Sequence, residues 1–325
     1  MTKIDLKDRK ILYELDLNCR QSNTQIGKKV GLKKDVVSYR IKRMEDEGII
    51  TNYWTTIDTF KLGYTVFRVY FNFQDISLEE KNELVKEFVD YGNSWAVNTV
   101  TGNIDLSVVA WVKNIFEFYT FLDNILDKYG KYISKKNLSV YVQADEYIKS
   151  YLLEGEDTKG PREKFSIRCV GEKVDIDEVD YQLLNHLALH ARMPLIDIAE
   201  KLNVSSQTVN YRLKNLIENG VIKGFRINVN ESMLGLQYFD VRVNLTDHSF
   251  RKELIEYLST KSYLKCINTA FGYADLELEL ILENMDSLIQ TMDFLIEKFP
   301  RVIRNYHIIK VKKTYKERWL PEFEK

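Results

Sequence analysis

Between Lys33 and Arg43 the chain carries five basic residues, Lys33, Lys34, Arg40, Lys42 and Arg43, against one acid, Asp35. Cations clustered this densely can neutralise phosphates and release their counterions, the source of most sequence-independent affinity for a nucleic acid. The whole chain has a formal net charge of −1, so the signal lies in local clustering and not in bulk charge. A second stretch, Ser205 to Asn215, holds Arg212 and Lys214 among amide and hydroxyl side chains. Such groups can reach base edges or phosphate oxygens. A different chemistry is suggested by Gly102-x-x-Asp105 and Gly272-x-x-Asp275, preceded by Asn98–Thr99 and Asn268–Thr269. Glycine permits a tight turn, and a carboxylate at a strand start can hold a ligand ammonium or simply cap the turn. His186 and His190 stand four apart, yet no carboxylate pattern accompanies them, so a structural role outweighs metal binding. Cys19, Cys169 and Cys266 are scattered and odd in number, which argues against a disulfide framework or a zinc site.

The elements that position these groups occur twice. With a shift of 172, Ile4–Phe73 lies over the second half without a gap, and about twenty of some seventy positions are identical. The shift becomes 170 at NTVTGNIDL over NTAFGYADL and 168 at YIKSYL over YKERWL, as loop deletions would produce. In each copy an opening helix, capped by Asp5 in the first, is followed by two short helices. The second of these turns Val37, Ile41 and Met44 inward, or Val209, Leu213 and Leu216 in copy two. That is a helix-turn-helix pattern. Ile49–Ile57 then suits two short strands of a wing. With the apolar positions inward, Lys34, Asp35, Ser38, Tyr39 and Lys42 face outward.

The rest of copy one alternates strands (Thr65–Phe73, Trp95–Val100, Leu106–Val112, Leu138–Val142) with helices at Leu78–Tyr91 and Ile115–Tyr129. The order β-α-β-β-α-β is ferredoxin-like. The fold class is therefore α+β, two winged helix-turn-helix domains and two ferredoxin-like domains in tandem, with the two sheets expected to pair face to face because a bare apolar sheet face favours association. The expected domains are 1–60 and 61–143, a linker at 144–172 with a short helix at Glu146–Leu153, then 173–232 and 233–325. The run KVKKTYKERWLPEFEK is read as a docking tail.

D-x-x-D-x-x-I-L at Asp5–Leu12, Arg20, Val37–Arg40, Glu47–Ile50, Leu62–Gly63 and Gly102–Asp105 resemble the Lrp/AsnC, or feast/famine, regulators. Most recur at Asp177–Leu184, Arg192, Val209–Arg212, Gly220–Ile222, Leu234–Gly235 and Gly272–Asp275. The resemblance implies a DNA-binding winged domain followed by a RAM effector-sensing domain, assembled as dimers within larger rings. Effectors in that family are commonly amino acids or related small molecules. This chain departs from the pattern in carrying two copies, in having Lys33 where Ser is usual (Ser205 keeps it), and in having Gly27 where Ala is usual (Ala199 keeps it).

The expected function is thus that of a transcription regulator, a fused pseudo-dimer reading unequal half-sites and modulated by a small effector. The expected DNA contacts are Lys33, Lys34, Asp35, Ser38, Tyr39, Arg40, Lys42 and Arg43 in copy one. In copy two they are Ser205, Ser206, Gln207, Asn210, Tyr211, Arg212 and Lys214. The expected effector contacts are Asn98, Thr99, Gly102, Asp105, Asn268, Thr269, Gly272 and Asp275. Double-stranded DNA, an amino-acid-like effector, further copies of the chain and the transcription machinery are the expected partners. No cofactor, metal or catalytic residue is expected. No apolar run is long enough to span a bilayer, and the opening MTKIDLKDRK lacks a signal peptide's apolar stretch, so a cytoplasmic location is expected. Two alternatives compete: an enzyme like the siroheme decarboxylases, which share this architecture as paired modules, and an architectural DNA-binding or recruitment protein.

Overall fold

The computed structural model describes residues 4–153 and 160–322. Helices α1 (Leu6–Leu17), α2 (Asn23–Val30) and α3 (Lys34–Asp46) build the first head, followed by strand β1 (Ile50–Ile57). Asp5 caps α1 as expected, accepting from the Asp8 amide at 2.8 Å while Asp8 accepts from the Asp5 amide at 3.2 Å. Strand β2 (Thr65–Phe73), helix α4 (Leu78–Asp90), strands β3 (Ser94–Thr101) and β4 (Leu106–Val112), helix α5 (Ile115–Tyr129) and strand β5 (Ile133–Tyr147) complete the first copy. A short strand, β6 (Lys164–Arg168), leads into copy two. That copy repeats the plan as α6 (Glu178–Leu189), α7 (Leu195–Leu202), α8 (Ser206–Glu218), β7 (Ile222–Val229), β8 (Gln237–Leu245), α9 (Arg251–Ser259), β9 (Leu264–Phe271), β10 (Leu276–Leu282), α10 (Met285–Lys298) and β11 (Ile303–Glu317).

Three expectations about the strands are corrected. The wing is not a hairpin within each copy: β1 is a single strand paired antiparallel with β7 of the other copy, from Ile50 opposite Val229 to Ile57 opposite Ile222. Glu146–Leu153 is not a helix, because β5 runs on to Tyr147 and only a 3-10 turn follows at Ser150–Leu153. The stretch 144–172 is not a bare linker either. Its first residues belong to β5, and β6 pairs back on that strand; positions 154–159 lie outside the described residues. The tail is likewise sheet as far as Glu317, with Leu320 buried beyond it.

The two sheets face each other and are also joined along both edges. Strand order is β2-β4-β3-β11-β8-β10-β9-β5-β6, and β5 pairs with β2 as well, closing eight of the strands into a ring. The long terminal strands make the closure. β5 pairs with β2 through Ile133–Val140 and then with β9 through Val140–Glu146. β11 pairs with β8 through Ile303–Ile309 and then with β3 through Lys310–Glu317. Closure pairs the long edges of both sheets, and β6 adds to the far end of β5 beyond its pairing with β2. Along β2, Phe67, Val69 and Phe71 turn outward to Leu84, Val85 and Phe88 on α4, while Val66 and Tyr70 belong to the cores inside the ring. This is the two-residue period of a strand packed on both faces.

Inside the ring the two copies are complementary and not identical. Glu277, fully buried, accepts hydrogen bonds from Tyr141 (2.6 Å), Tyr70 (3.1 Å) and Arg68 (3.1 Å). Arg242 donates to Asp240 at 2.6 Å, and Arg68 lies 3.8 Å from Asp240. The repeat places Arg68 over Asp240 and Tyr70 over Arg242. Two first copies meeting here would oppose Arg to Arg, and two second copies Asp to Asp. Unlike partners avoid that repulsion.

Candidate nucleic-acid interface and sensing loops

Helix α3 is held against its head by Val37, Ile41 and Met44, and α8 by Val209, Leu213 and Leu216, all buried. The opposite faces expose Lys33, Lys34, Asp35, Tyr39 and Lys42 in copy one, and Ser205, Ser206, Gln207, Asn210, Tyr211 and Lys214 in copy two. Tyr39 and Tyr211, equivalent by the repeat, keep 68% and 66% of their surface accessible, high for aromatic side chains. Ser205 also caps α8, accepting from the Thr208 amide at 3.0 Å, whereas Lys33 at the same place gives α3 no side-chain cap.

Four of the expected contacts are engaged elsewhere. Arg40 donates to Asp5 at 2.7 Å and to Asp8 at 2.8 Å, and Arg43 donates to Asp8 at 2.6 Å. Arg212 makes the equivalent pairs in copy two, 2.8 Å from Asp177 and 3.0 Å from Asp180. The carboxylates that cap the first helix of each head therefore clamp the third. Hydrogen bonds to these carboxylates hold the Arg40 and Arg212 guanidiniums more firmly protonated than usual. Ser38 donates to the Lys34 carbonyl at 3.0 Å and accepts from Asn23 at 2.8 Å, so its hydroxyl is occupied as well. Lys42 lies 2.5 Å from the exposed Asp46, a pair of small energetic weight. Among the described residues, Lys33, Lys34 and Lys214 make no ion pair.

The heads are joined by pseudo-symmetric bonds that sequence reading missed. The Cys19 amide donates to the Phe225 carbonyl at 2.9 Å, and the equivalent Ala191 amide to the Tyr53 carbonyl at 3.0 Å. The Arg20 guanidinium lies over Phe225 at 5.5 Å and that of Arg192 over Tyr53 at 5.3 Å. Arg20 also donates to the Ala191 carbonyl at 2.6 Å, so this motif arginine fastens head to head. Symmetry breaks at the next position. Trp54 is matched by Arg226, which donates to the fully buried Asp16 at 2.6 and 3.1 Å, and Lys149 donates to the same carboxylate at 2.8 Å. Burial alone would raise the Asp16 pKa; Arg226 and Lys149 outweigh it and hold the carboxyl below its ordinary value.

The sensing loops divide into two groups. Asp105 accepts from the Phe73 amide at 2.8 Å and Asp275 from the Leu245 amide at 2.7 Å, so each caps a neighbouring strand of its own sheet. Gly102 and Gly272 sit at φ +120 and +121 where the other copy closes in: a Cβ would lie 2.8 Å from the Ile308 carbonyl oxygen and 1.9 Å from that of Leu138. These glycines serve close approach between copies. Thr269 accepts from Arg251 at 2.9 Å, and Thr99 is buried in β3. The expected pocket of eight residues is therefore not assembled there. Asn98 and Asn268 instead line a cavity inside the ring, and the Asn98 side-chain amide oxygen is buried without a partner. None of the four histidines lines that cavity. No group of three metal-ligating side chains and no helix long and apolar enough to cross a membrane occurs among the described residues.

A family model described as winged helix-turn-helix DNA-binding matches residues 4–51 and 176–223, one match per head. An uncharacterized HTH-type transcriptional regulator of Pyrococcus furiosus is 30% identical over 128 residues, covering 39% of this chain and 83% of that protein. The HTH-type transcriptional regulator LrpA of Pyrococcus horikoshii is 34% identical over 102 residues, 27% of this chain and 71% of that one. LrpB of Bacillus subtilis is 25% identical over 142 residues, 44% of this chain and 95% of its own. Each relative spans less than half of this chain, as a single module would. Among solved structures, the siroheme decarboxylase NirDL aligns over 98% of this chain and 94% of its own, with a TM-score of 0.66 and 12% identity, a likeness of fold. The duplicated heads and these relatives together place the chain in the Lrp/AsnC family of winged helix-turn-helix transcription regulators, with two copies of the module in one polypeptide.

Proposed function

We propose that this regulator binds double-stranded DNA through the exposed faces of α3 and α8 and reads two unequal half-sites with one chain. The observation that carries the reading is the pair of outward faces on one pseudo-symmetric unit joined by β1 and β7, with Lys33, Lys34 and Tyr39 on one and Gln207, Asn210, Tyr211 and Lys214 on the other. A homodimer presents identical helices to a palindrome; these two differ. Copy one supplies the greater share of phosphate affinity and copy two more of the base readout, since amides pair with base edges and ammonium groups with phosphates. Selection and sequencing of bound genomic fragments, followed by anisotropy on the selected site, tests this. Lys33→Ala/Lys34→Ala should weaken binding to every sequence, and Gln207→Ala/Asn210→Ala should relax preference at one half-site. A larger general loss from the amide pair would refute the division of labour.

The regulator acts in the cytoplasm, where its DNA is, and fused chains associate further through the outer helices, where Ile115, Phe116 and Tyr119 are exposed. Light scattering of the purified chain tests the association. A decarboxylase reading draws on the full-length likeness of fold to NirDL. Absorbance on adding iron uroporphyrin tests it, and a bound-haem spectrum would favour it over a purely regulatory role.

A further inference from the structure

The ring encloses a cavity of 470 Å³, within the size range of small-molecule sites. All four tryptophans of the chain, Trp54, Trp95, Trp111 and Trp319, line it. Four residues so distant in sequence share a cavity only because the ring closes and β1 covers it. Trp95 and Trp111 stack with centroids 5.5 Å apart and planes 4° from parallel, and Trp54 lies 4.6 Å from Trp319.

Six charged residues line the same space, four acidic and two basic, and most are already matched. Arg68 donates to Glu277, Glu146 accepts from Arg226 at 3.0 Å, Lys265 is 3.3 Å from Glu279, and Glu231 accepts from Tyr151 at 3.0 Å. Glu317, whose side chain is exposed at the rim of the cavity, has no hydrogen bond or ion pair with another described side chain. Its strand neighbour is Ala96, and the next residue, Arg318, donates its amide to the Trp95 carbonyl at 2.8 Å, so Glu317 stands beside the indole wall. Partial desolvation at the rim pushes its carboxyl up against the pull of Lys265, the direction an approaching cation reverses. Unpartnered buried donors and acceptors mark the walls as well. The Trp54 indole N–H and the Thr56 hydroxyl, on residues 6% and 1% exposed, have no partner, and neither does the Asn98 side-chain amide oxygen. Buried polar atoms left unmatched are costly unless something completes them.

We propose that this cavity is a regulatory site for a small aromatic or aliphatic amine, its ammonium held by Glu317 and its body between the tryptophan rings. Indole faces attract a cation, and a carboxylate without a hydrogen bond or ion pair, in a lining of four acids to two bases, adds the charge. The same lining disfavours a polycarboxylate such as a tetrapyrrole acid. Position supplies the regulation. Strands β1 and β7 roof the cavity through Trp54, Thr56 and Val229, and each follows its DNA-reading helix after one short turn. A ligand that shifts the ribbon shifts both heads. The site serves the regulator reading above, but its occupancy is measured without DNA, so the two can fail separately.

The test uses the intact chain and its own tryptophan emission. Phenethylamine should change the emission saturably, phenylpropionate should not, and Glu317→Gln should weaken the amine by about tenfold, the loss of one charge-assisted bond. An unchanged melting temperature certifies that this near-isosteric variant is folded. Anisotropy on a DNA duplex should then show affinity altered by phenethylamine in the parent and unaltered in Glu317→Gln. Equal binding of phenylpropionate or iron uroporphyrin, no saturable change up to millimolar amine, or an undiminished Glu317→Gln would overturn the site. Binding with no effect on DNA affinity would overturn its regulatory role.

Discussion

Lys34 and Arg40 are both basic residues on α3, the helix proposed to read DNA in copy one, yet the structure leaves one free and pairs the other, and a pair of variants separates the duties this implies. Lys33 and Lys34 are exposed and without an ion pair, so Lys33→Ala/Lys34→Ala removes phosphate contacts and leaves the head intact. Each phosphate contact contributes about 0.9 to the slope of log affinity against log salt, so the double variant lowers the slope by up to about 1.8. Between 50 and 200 mM salt its affinity therefore falls about twelvefold less than that of the parent, by the same relation. Arg40→Ala acts on stability instead. Asp8, fully buried, loses one of two guanidinium partners and keeps Arg43 at 2.6 Å. A lost hydrogen bond to a buried charge costs about 1.5–3 kcal/mol. At about 2–4 °C per kcal/mol for a domain of this class, the melting temperature drops by about 3–12 °C. The assays are anisotropy with a fluorescent duplex at several salt concentrations and a thermal melt of each variant. A lower salt slope for Arg40→Ala with an unchanged melt would refute the assignment, as would a lowered melt with an unchanged slope for the lysine pair.

Three further outcomes follow from the packing. Asp16→Asn leaves Arg226 and Lys149 buried without a counter-charge and should cost about 3–5 kcal/mol in a denaturant or thermal melt. Because the folded pKa of Asp16 is depressed, its stabilisation is present above its unfolded value near 3.8 and is lost as pH falls through the lower folded value; the variant's deficit should therefore shrink in acid below about pH 4. Gly272→Ala, with a Cβ at 1.9 Å from the Leu138 oxygen, should destabilise the chain more than Gly102→Ala, whose Cβ would lie 2.8 Å from the Ile308 oxygen, and equal melts would contradict the close approach. In a thiol titration of the native chain only Cys169, which is exposed, should react quickly; Cys19 and Cys266 are buried, and burial pushes the Cys19 thiol up to about 12.

Much of the architecture was readable from local pattern. Thr65–Phe73, Leu106–Val112 and Ile115–Tyr129 occur as the residue periods imply, since a strand or helix on a core repeats its apolar positions whatever its neighbours are. The wing was misread because a lone strand and one arm of a hairpin look alike in sequence; the partner, β7, lies in the other copy. Glu146 and Tyr147 were misread as helical for a related reason. Helical spacing is also compatible with a strand whose two faces are both covered, as β5 is where it passes from one sheet to the other.

By itself the sequence determined the duplication, the helix-turn-helix and ferredoxin-like order, and the two outward faces of α3 and α8, because these depend on spacing within a few turns of chain. Only the tertiary structure decided which cations are free. Arg40 and Lys34 belong to one basic helix, and what distinguishes them is Asp8, brought alongside Arg40 from the first helix. Tertiary structure likewise gathered the four tryptophans around one cavity and set the Glu317 carboxylate at its rim. Ion pairing and enclosure depend on distance in space, and linear spacing carries no record of that once the chain has closed on itself.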